Sequence, residues 1–307
     1  MTKHYKLQAG RLVPSEASEA QVIAFVSPEP EEISALMKNY QIDEHTLSSV
    51  SDSDELARLE YEDEHIAIIY KRPKNYSAAE HFQFRVASSG IFMFENLLIV
   101  VSDIELPLGD EKKFSKLTSL KMLLLKLLSF STLHFYEHLR VINKMSNELE
   151  AKHIYKLKKE EYLIVFGLSK SLVYYMNAIS SNEALLKRMQ ISRNLNFDEN
   201  EQEILDDIII ENSQCKRLTE IYSSVLENMM SSHEMSHESS TSSDVGSLKI
   251  LNMLSVVIMI PTSITSIFSM NLKYPFDAED YRAFWLVLFT MLIGATLFWV
   301  WQIRKKW

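Results

Sequence analysis

The sharpest hydrophobic pattern lies at the end of the chain. No charged residue occurs from Ile250 to Met270, or again from Ala283 to Ile303. Each run is as long as a helix needs to cross the roughly 30 Å of bilayer hydrocarbon. Two transmembrane helices are therefore predicted at about 250–270 and 283–303, joined by a loop over 271–282. The start of the chain is patterned differently. Up to about Pro107, β-rich runs at Gln21–Val26, His65–Tyr70, Phe82–Val86 and Ile91–Val101 are interleaved with helix signals. Glu31–Tyr40 follows Ser27-Pro-Glu-Pro and opens with acids, and Asp43–Val50 reads as a second helix. These strands are expected to form one small sheet flanked by helices.

From Phe114 onward the strand signals stop. Apolar residues recur at helical spacing through Lys116–Lys152, Glu160–Ser180 and Glu183–Arg193. A further helix is predicted from Asp198, with Ile204, Ile208, Cys215, Leu218, Tyr222, Val225 and Met229 at steps of three and four and a polar break at Glu211-Asn212. Running unbroken to the end of the first span, it would be about 100 Å long. Its apolar stripe fits an intramolecular core and an oligomer stalk equally, and the pattern leaves both open. The organisation expected is an α/β subdomain over 1–113, a helical bundle with a stalk over 114–247, and a transmembrane domain over 248–307.

Composition narrows the function classes. Of the 307 residues only six are glycine, which suits a chain dominated by helix. The formal net charge of −9 argues against a nucleic-acid partner. The single cysteine, Cys215, has no partner for an intrachain disulfide and reads as a small packing residue in a reducing compartment. The polar start, Met1-Thr-Lys-His-Tyr-Lys, has no apolar stretch of the kind a signal peptide carries, so residues before Ile250 are expected to stay cytoplasmic. No Gly-x-x-x-x-Gly-Lys-Ser/Thr loop is present to cradle a nucleotide.

The two spans differ in character. The first carries Asn252, Ser255, Thr262, Ser263, Thr265, Ser266 and Ser269, polar groups that cost free energy in hydrocarbon unless they face other helices or water. It also contains Pro261, which is tolerated where neighbours satisfy the freed carbonyl. The second span, with Phe284, Trp285, Phe289, Phe298, Trp299 and Trp301, suits a lipid-facing helix. The basic tail Arg304-Lys305-Lys306 favours a cytoplasmic C-terminus, and two crossings then return the N-terminal domain to the same side. The outward loop carries Asp277, Glu279 and Asp280, which would attract cations if several copies converged.

One further motif points elsewhere. In the Ser-rich stretch 231–247, His233-Glu234-Met235-Ser236-His237 has the form His-Glu-x-x-His. On a helix its histidines would share a face and could bind Zn²⁺ with Glu234 as base, the arrangement of a zinc metallopeptidase.

At the membrane end the chain resembles the CorA-type divalent cation transporters, in which Gly-Met-Asn closes the first of two C-terminal helices. Here the tripeptide is Ser269-Met270-Asn271, preceded by Leu248-Lys249 and Pro261 and followed by Tyr274-Pro275-Phe276 and the basic tail. Asp54-Glu55-Leu56-Ala57-Arg58-Leu59-Glu60-Tyr61 and the strand after it also look like the family's N-terminal domain. The resemblance implies an α+β cytoplasmic domain with a two-helix transmembrane domain, a funnel-shaped homopentamer in the cell membrane with both termini cytoplasmic, and no catalytic residues or cofactor. It decides for the stalk. It further implies a selectivity filter at Ser269, Met270 and Asn271, whose amides would hydrogen-bond the water shell of Mg²⁺. Leu248, Leu251, Asn252, Ser255, Met259, Thr262 and Ser266 would line the pore, with the leucines able to gate by dewetting. Serine replaces the family's glycine at 269, where glycine permits backbone angles that serine resists. The family's cytoplasmic metal sensor maps onto Asp206, beside Asp207, yet the hairpin expected to supply its second acid reads Lys71-Arg72-Pro73-Lys74-Asn75. Rings of His233 and His237 would instead shift preference toward Zn²⁺, Co²⁺ or Ni²⁺. A third possibility is a non-conducting membrane regulator that kept the fold.

Overall fold

The computed structural model describes the chain except for residues 76–82, 111–113, 152–158, 271–280 and 305–307, and excludes the side chains of 236–246, 268, 283, 302 and 303. The chain forms two compact units, Met1–His233 and Glu234–Trp307.

The first unit is built on a seven-stranded sheet. In chain order the elements are β1 (Thr2–Gln8), β2 (Arg11–Pro14), β3 (Val22–Val26), α1 (Pro30–Tyr40), α2 (Glu44–Ser51), β4 (Arg58–Tyr61), β5 (Ile66–Pro73), β6 (Val86–Met93) and β7 (Leu98–Ser102). Strands lie in the order β2-β1-β3-β7-β6-β5-β4. All neighbours are antiparallel except β3 and β7, which pair in parallel from Val22↔Leu98 to Val26↔Ser102.

Side chains alternate across a strand, so a strand covered on both faces reads as a continuous apolar run. In β5, Ala67 and Ile69 join Phe25, Phe92, Ile99 and Val101 beneath Leu36 of α1 and Leu47 and Val50 of α2. Ile68 and Tyr70 point the other way, into a core with Leu59, Ile91 and Val100. That face is covered by α3 (Leu120–Ala151), α4 (Lys159–Ile191) and α5 (Glu199–Phe268), through Leu124, Leu128, Leu185, Met189, Leu205 and Ile208. Beyond the sheet the same three helices pack on one another through Phe135, Leu139, Leu172, Tyr175, Cys215, Leu226 and Met229, with Phe84 set among them.

Helix starts follow local chemistry. Glu29 and Glu32 form a capping box at α1, with Pro30 in the first turn. Asp43 Oδ2 accepts the Thr46 N–H at the start of α2. At α5 the Asp198 carboxylate accepts the Glu201 N–H at 2.7 Å, and the Glu201 carboxylate accepts the Asp198 N–H at 3.1 Å.

Several sequence expectations are revised. The apolar run Ile91–Val101 is two strands, because Phe94 N–H bonds the Leu97 carbonyl and turns the chain between β6 and β7. Glu160–Ser180 and Glu183–Arg193 are one helix, α4. The polar break at Glu211-Asn212 does not interrupt α5: Asn212 is fully buried and its Nδ2 donates to the Ile179 carbonyl of α4 at 3.1 Å. Glu211 sits close enough to Asp207 and the helix packing that its pKa is raised, chiefly by burial. Cys215 is a buried packing residue, its thiol pushed up to about 12 by burial.

Candidate functional site

In the second unit, α5 runs through Pro261 to Phe268, and α6 spans Tyr281–Arg304. Ser247–Ile267 and Phe284–Trp301 are long and apolar enough to cross a bilayer, with mean hydropathies of 1.9 and 2.0. A stretch within α4 also passes on hydropathy, but 39% of it is buried inside the fold, so its apolarity is core packing.

The two terminal helices meet on one side. Met253, Val256, Val257, Ile260 and Ile264 of α5 are partly covered, as are Val287, Met291, Gly294, Ala295 and Phe298 of α6. Gly294 lies at the contact, where a Cβ would stand 3.3 Å from Ile260 Cγ2. Small residues at such crossings let membrane helices pack closely. The sequence reading missed Gly294; its signal was a lone glycine in an otherwise bulky apolar run.

Leu248, Leu251, Asn252, Ser255, Met259, Thr262 and Ser266 all lie exposed on α5. Ser255, Met259, Thr262 and Ser266 share a groove along the helix with Ile258, Ser263 and Ile267. The hydroxyls are not free rotors. Ser255 Oγ donates to the Leu251 carbonyl at 2.8 Å and Thr262 Oγ1 to the Ile258 carbonyl at 2.8 Å. Thr265 Oγ1 donates back to Pro261 and Thr262. Of the tripeptide expected to form the filter, Ser269 and Met270 are described. The Ser269 N–H bonds the Thr265 carbonyl at 2.9 Å, continuing the helical pattern, and its φ is not positive. The angles that only glycine adopts freely are therefore not called on at this position. Asn271, Asp277, Glu279 and Asp280 lie outside the described residues.

The remaining candidates are scattered. Asp206 is half-buried, and its Oδ1 accepts from Gln190 Nε2 at 2.7 Å and from Gln202 Nε2 at 3.3 Å. Asp207 is exposed. Lys71 and Arg72 are buried on the β5 arm of the β5–β6 hairpin, opposite Ser88 and Ala87. Lys71 Nζ donates to the Ser53 carbonyl at 2.9 Å and to Ser88 Oγ at 2.7 Å, and burial lowers its pKa. The His233 ring packs edge-on against Tyr162 of α4, centroids 5.0 Å apart. The side chain of His237 is outside the described set. Among the described residues no group of three or more His, Cys, Asp or Glu side chains comes together to hold a metal.

Residues 21–305 match the family model described as CorA-like Mg²⁺ transporter protein. The chain belongs to this family. The cobalt/magnesium transport protein CorA of Methanocaldococcus jannaschii is 26% identical over 283 residues, covering 88% of this chain and 86% of that protein. The complete structure of the M. jannaschii CorA magnesium transporter superposes over 100% of this chain and 98% of its own, with a TM-score of 0.74 at 22% identity. The cytoplasmic domain of ZntB from Vibrio parahaemolyticus covers 77% of this chain and 98% of its own, with a TM-score of 0.61 at 13% identity. At these identities the structural likenesses establish the fold, an α+β domain with long helices followed by apolar C-terminal helices. Membership makes this chain a divalent cation transporter of the membrane and not an enzyme. The metallopeptidase reading of His233-Glu234-x-x-His237 is thereby corrected: in this chain the motif lies on α5, with its first histidine against Tyr162.

Proposed function

We propose that this protein admits Mg²⁺ to the cytoplasm through a pore formed by five copies of the chain, with α5 lining the path and α6 facing lipid. The observation that carries the reading is the uncovered polar face of α5. Ser255, Met259, Thr262 and Ser266 lie on a helix apolar enough to span a bilayer, on the side that α6 leaves open. A hydroxyl face exposed to lipid would be costly, whereas around a shared axis it borders water. Exposed Phe284, Trp285, Trp299 and Trp301 near the two ends of α6 fit the two membrane interfaces.

On this reading residues 1–247 are cytoplasmic and 248–307 form the membrane domain, with both termini inside, as the basic tail favours. Leu248 and Leu251 form a hydrophobic constriction that closes by dewetting. Asn271 forms the outer ring, where amide oxygens accept hydrogen bonds from the strongly held water of Mg²⁺. Asp277, Glu279 and Asp280 raise the local cation concentration at the mouth. A potential of 100 mV favours inward movement of a divalent ion by about 4.6 kcal/mol, so no nucleotide site is required. The relative from M. jannaschii is named for cobalt as well as magnesium, which supports Co²⁺ as a second cargo. A preference for Zn²⁺ or Ni²⁺ set by His233 and His237 is the weaker reading, because the His233 ring is engaged with Tyr162.

Purified protein in liposomes loaded with a Mg²⁺ dye tests this. Uptake should follow an inside-negative potential and fall at least about tenfold in Asn271→Ala, with native mass spectrometry giving a pentamer. Wild-type vesicles that stay dark with every divalent ion would instead make the chain a non-conducting regulator.

A further inference from the structure

One end of the sheet carries a cleft that the transport path does not use. Two tight turns stand side by side there, because Ile66 pairs with Met93 across β5 and β6. In the first turn the Glu62 N–H bonds the His65 carbonyl at 3.0 Å, and in the second the Phe94 N–H bonds the Leu97 carbonyl at 2.8 Å. With the start of α3 and the segment between α4 and α5 they border a cavity of about 890 Å³, within the size range of small-molecule sites. Its lining is lopsided in charge. Glu62, Asp63, Glu64 and Glu95 all border it, and none of these carboxylates takes a hydrogen bond or an ion pair from the described residues. Lys121 is the only lysine or arginine in the described lining, and its ammonium already donates to the Asn196 carbonyl at 2.7 Å.

A second observation, independent of the acids, points to a ligand that brings donors. His65 is only 5% exposed and its ring sits against Phe92 and Phe94, yet it borders the same cleft. Neither of its ring nitrogens has a hydrogen-bond partner among the described residues. Burial lowers its pKa, so the ring is neutral and keeps one nitrogen as an acceptor. A buried polar atom without a partner is costly, and a bound donor would relieve it. The carboxylates, for their part, do not converge on a point: no three of them come together to hold one metal ion. What suits them is positive charge spread along a chain, with apolar stretches between the charges to lie on Tyr61, Ile66, Met93 and Phe94. An ammonium group has donors and no acceptor, the complement of this lining.

We infer that the cleft binds a linear aliphatic polyamine, with Glu62, Glu64 and Glu95 facing its ammonium groups and His65 accepting one N–H. The site is separate from the pore, and it stands whether or not the chain conducts Mg²⁺.

The test is calorimetric titration of spermidine into the full-length protein in detergent at physiological ionic strength. Saturable binding at one site per chain is expected, weaker for the two-charge putrescine. Glu62→Gln combined with Glu64→Gln should weaken it by roughly three- to tenfold, the scale of two exposed charge pairs. His65→Phe keeps the ring packing, removes the acceptor and should weaken binding by a similar factor, roughly that of one hydrogen bond. Glu95→Gln, on the other turn, repeats the test without touching the surroundings of His65, and unfolding midpoints confirm that each variant is folded. No saturable binding, or an affinity that none of these changes moves, overturns the inference. Loss of spermidine binding when Mg²⁺ replaces Na⁺ at equal ionic strength would make the cleft a divalent-metal site and overturn it too.

Discussion

Asn182 of α4 completes the sheet at Lys71. Its Oδ1 accepts the Lys71 N–H and its Nδ2 donates to the Lys71 carbonyl, both at 2.8 Å, where β4 has already ended at Arg58↔Ile69. A side-chain amide thus stands in for the next strand, and Ser131 Oγ of α3 adds a second bond to the same carbonyl at 2.8 Å. Asn182→Leu should cost about 1–3 kcal/mol, the penalty of an orphaned buried N–H, because the carbonyl keeps Ser131. Asn182→Asp should cost at least as much, because it turns a second carboxylate oxygen on the Lys71 carbonyl and buries a charge. Denaturant unfolding of the detergent-solubilised full chain measures both.

Gly90 of β6 leaves room for α2. A Cβ there would meet Val50 Cγ2 at 2.5 Å, far inside contact distance. Gly90→Ala should destabilise by about 1–3 kcal/mol, as overpacking in a filled core does. Val50→Ala in the same chain should recover part of that loss, so a double-mutant cycle would show strong coupling.

Acid should weaken the first unit before its carboxylates titrate. His138 is buried, bonds Tyr175 Oη through Nδ1 at 2.6 Å, and is held down to about 3 by burial and by the neighbouring His134. An unfolded histidine titrates near 6.5, so below that pH the unfolded state binds a proton that the folded state refuses. Stability is then full above about 6.5 and falls as pH drops toward 3, by up to about 1.4 kcal/mol per pH unit. His65, also lowered by burial, adds to the slope. Glu183, held below the usual range by hydrogen bonds from Lys187 and Lys216, loses its contribution only as pH falls below about 4.5. Unfolding midpoints between pH 7.5 and 5 should therefore fall in wild type and fall less steeply in His138→Gln.

The crossing at Gly294 makes a graded prediction. Gly294→Ala needs Ile260 to move by a few tenths of an ångström and should be tolerated. Gly294→Leu should separate α6 from α5 and cost about 1–3 kcal/mol. Thermal unfolding in detergent distinguishes the two.

What the sequence displayed and what it concealed follow from where polar residues find partners. The membrane helices were legible because uninterrupted apolar runs have few other uses, and the hydroxyl face because polar groups in such a run need a reason. Breaks were misread where a polar side chain serves another element's backbone. Ser181 and Asn182 looked like the end of a helix, yet Ser181 Oγ accepts the Ala57 N–H and Asn182 bonds Lys71. Asn212 in α5 repeats this with Ile179. The strands β1 and β2 went unseen because β1 buries only Tyr5, so no alternation shows. Their turn, Ala9-Gly10, has positive φ at both residues but lacks the Asn-Gly signature of such hairpins. In Lys71-Arg72-Pro73-Lys74-Asn75 the first three residues belong to β5, and the Lys71 ammonium is held by Ser53 and Ser88.

The parallel join between β3 and β7 sets an order on biosynthesis. Both flanking groups, β1–β3 and β4–β7, are antiparallel neighbours that zip locally, but Val22 cannot meet Leu98 until everything between them has emerged from the ribosome. Through that interval β3, with the sequence Val-Ile-Ala-Phe-Val, holds out an unpaired apolar edge. Such an edge invites pairing with other nascent chains, so slowed translation before residue 98 would be expected to harm yield more than slowing after it.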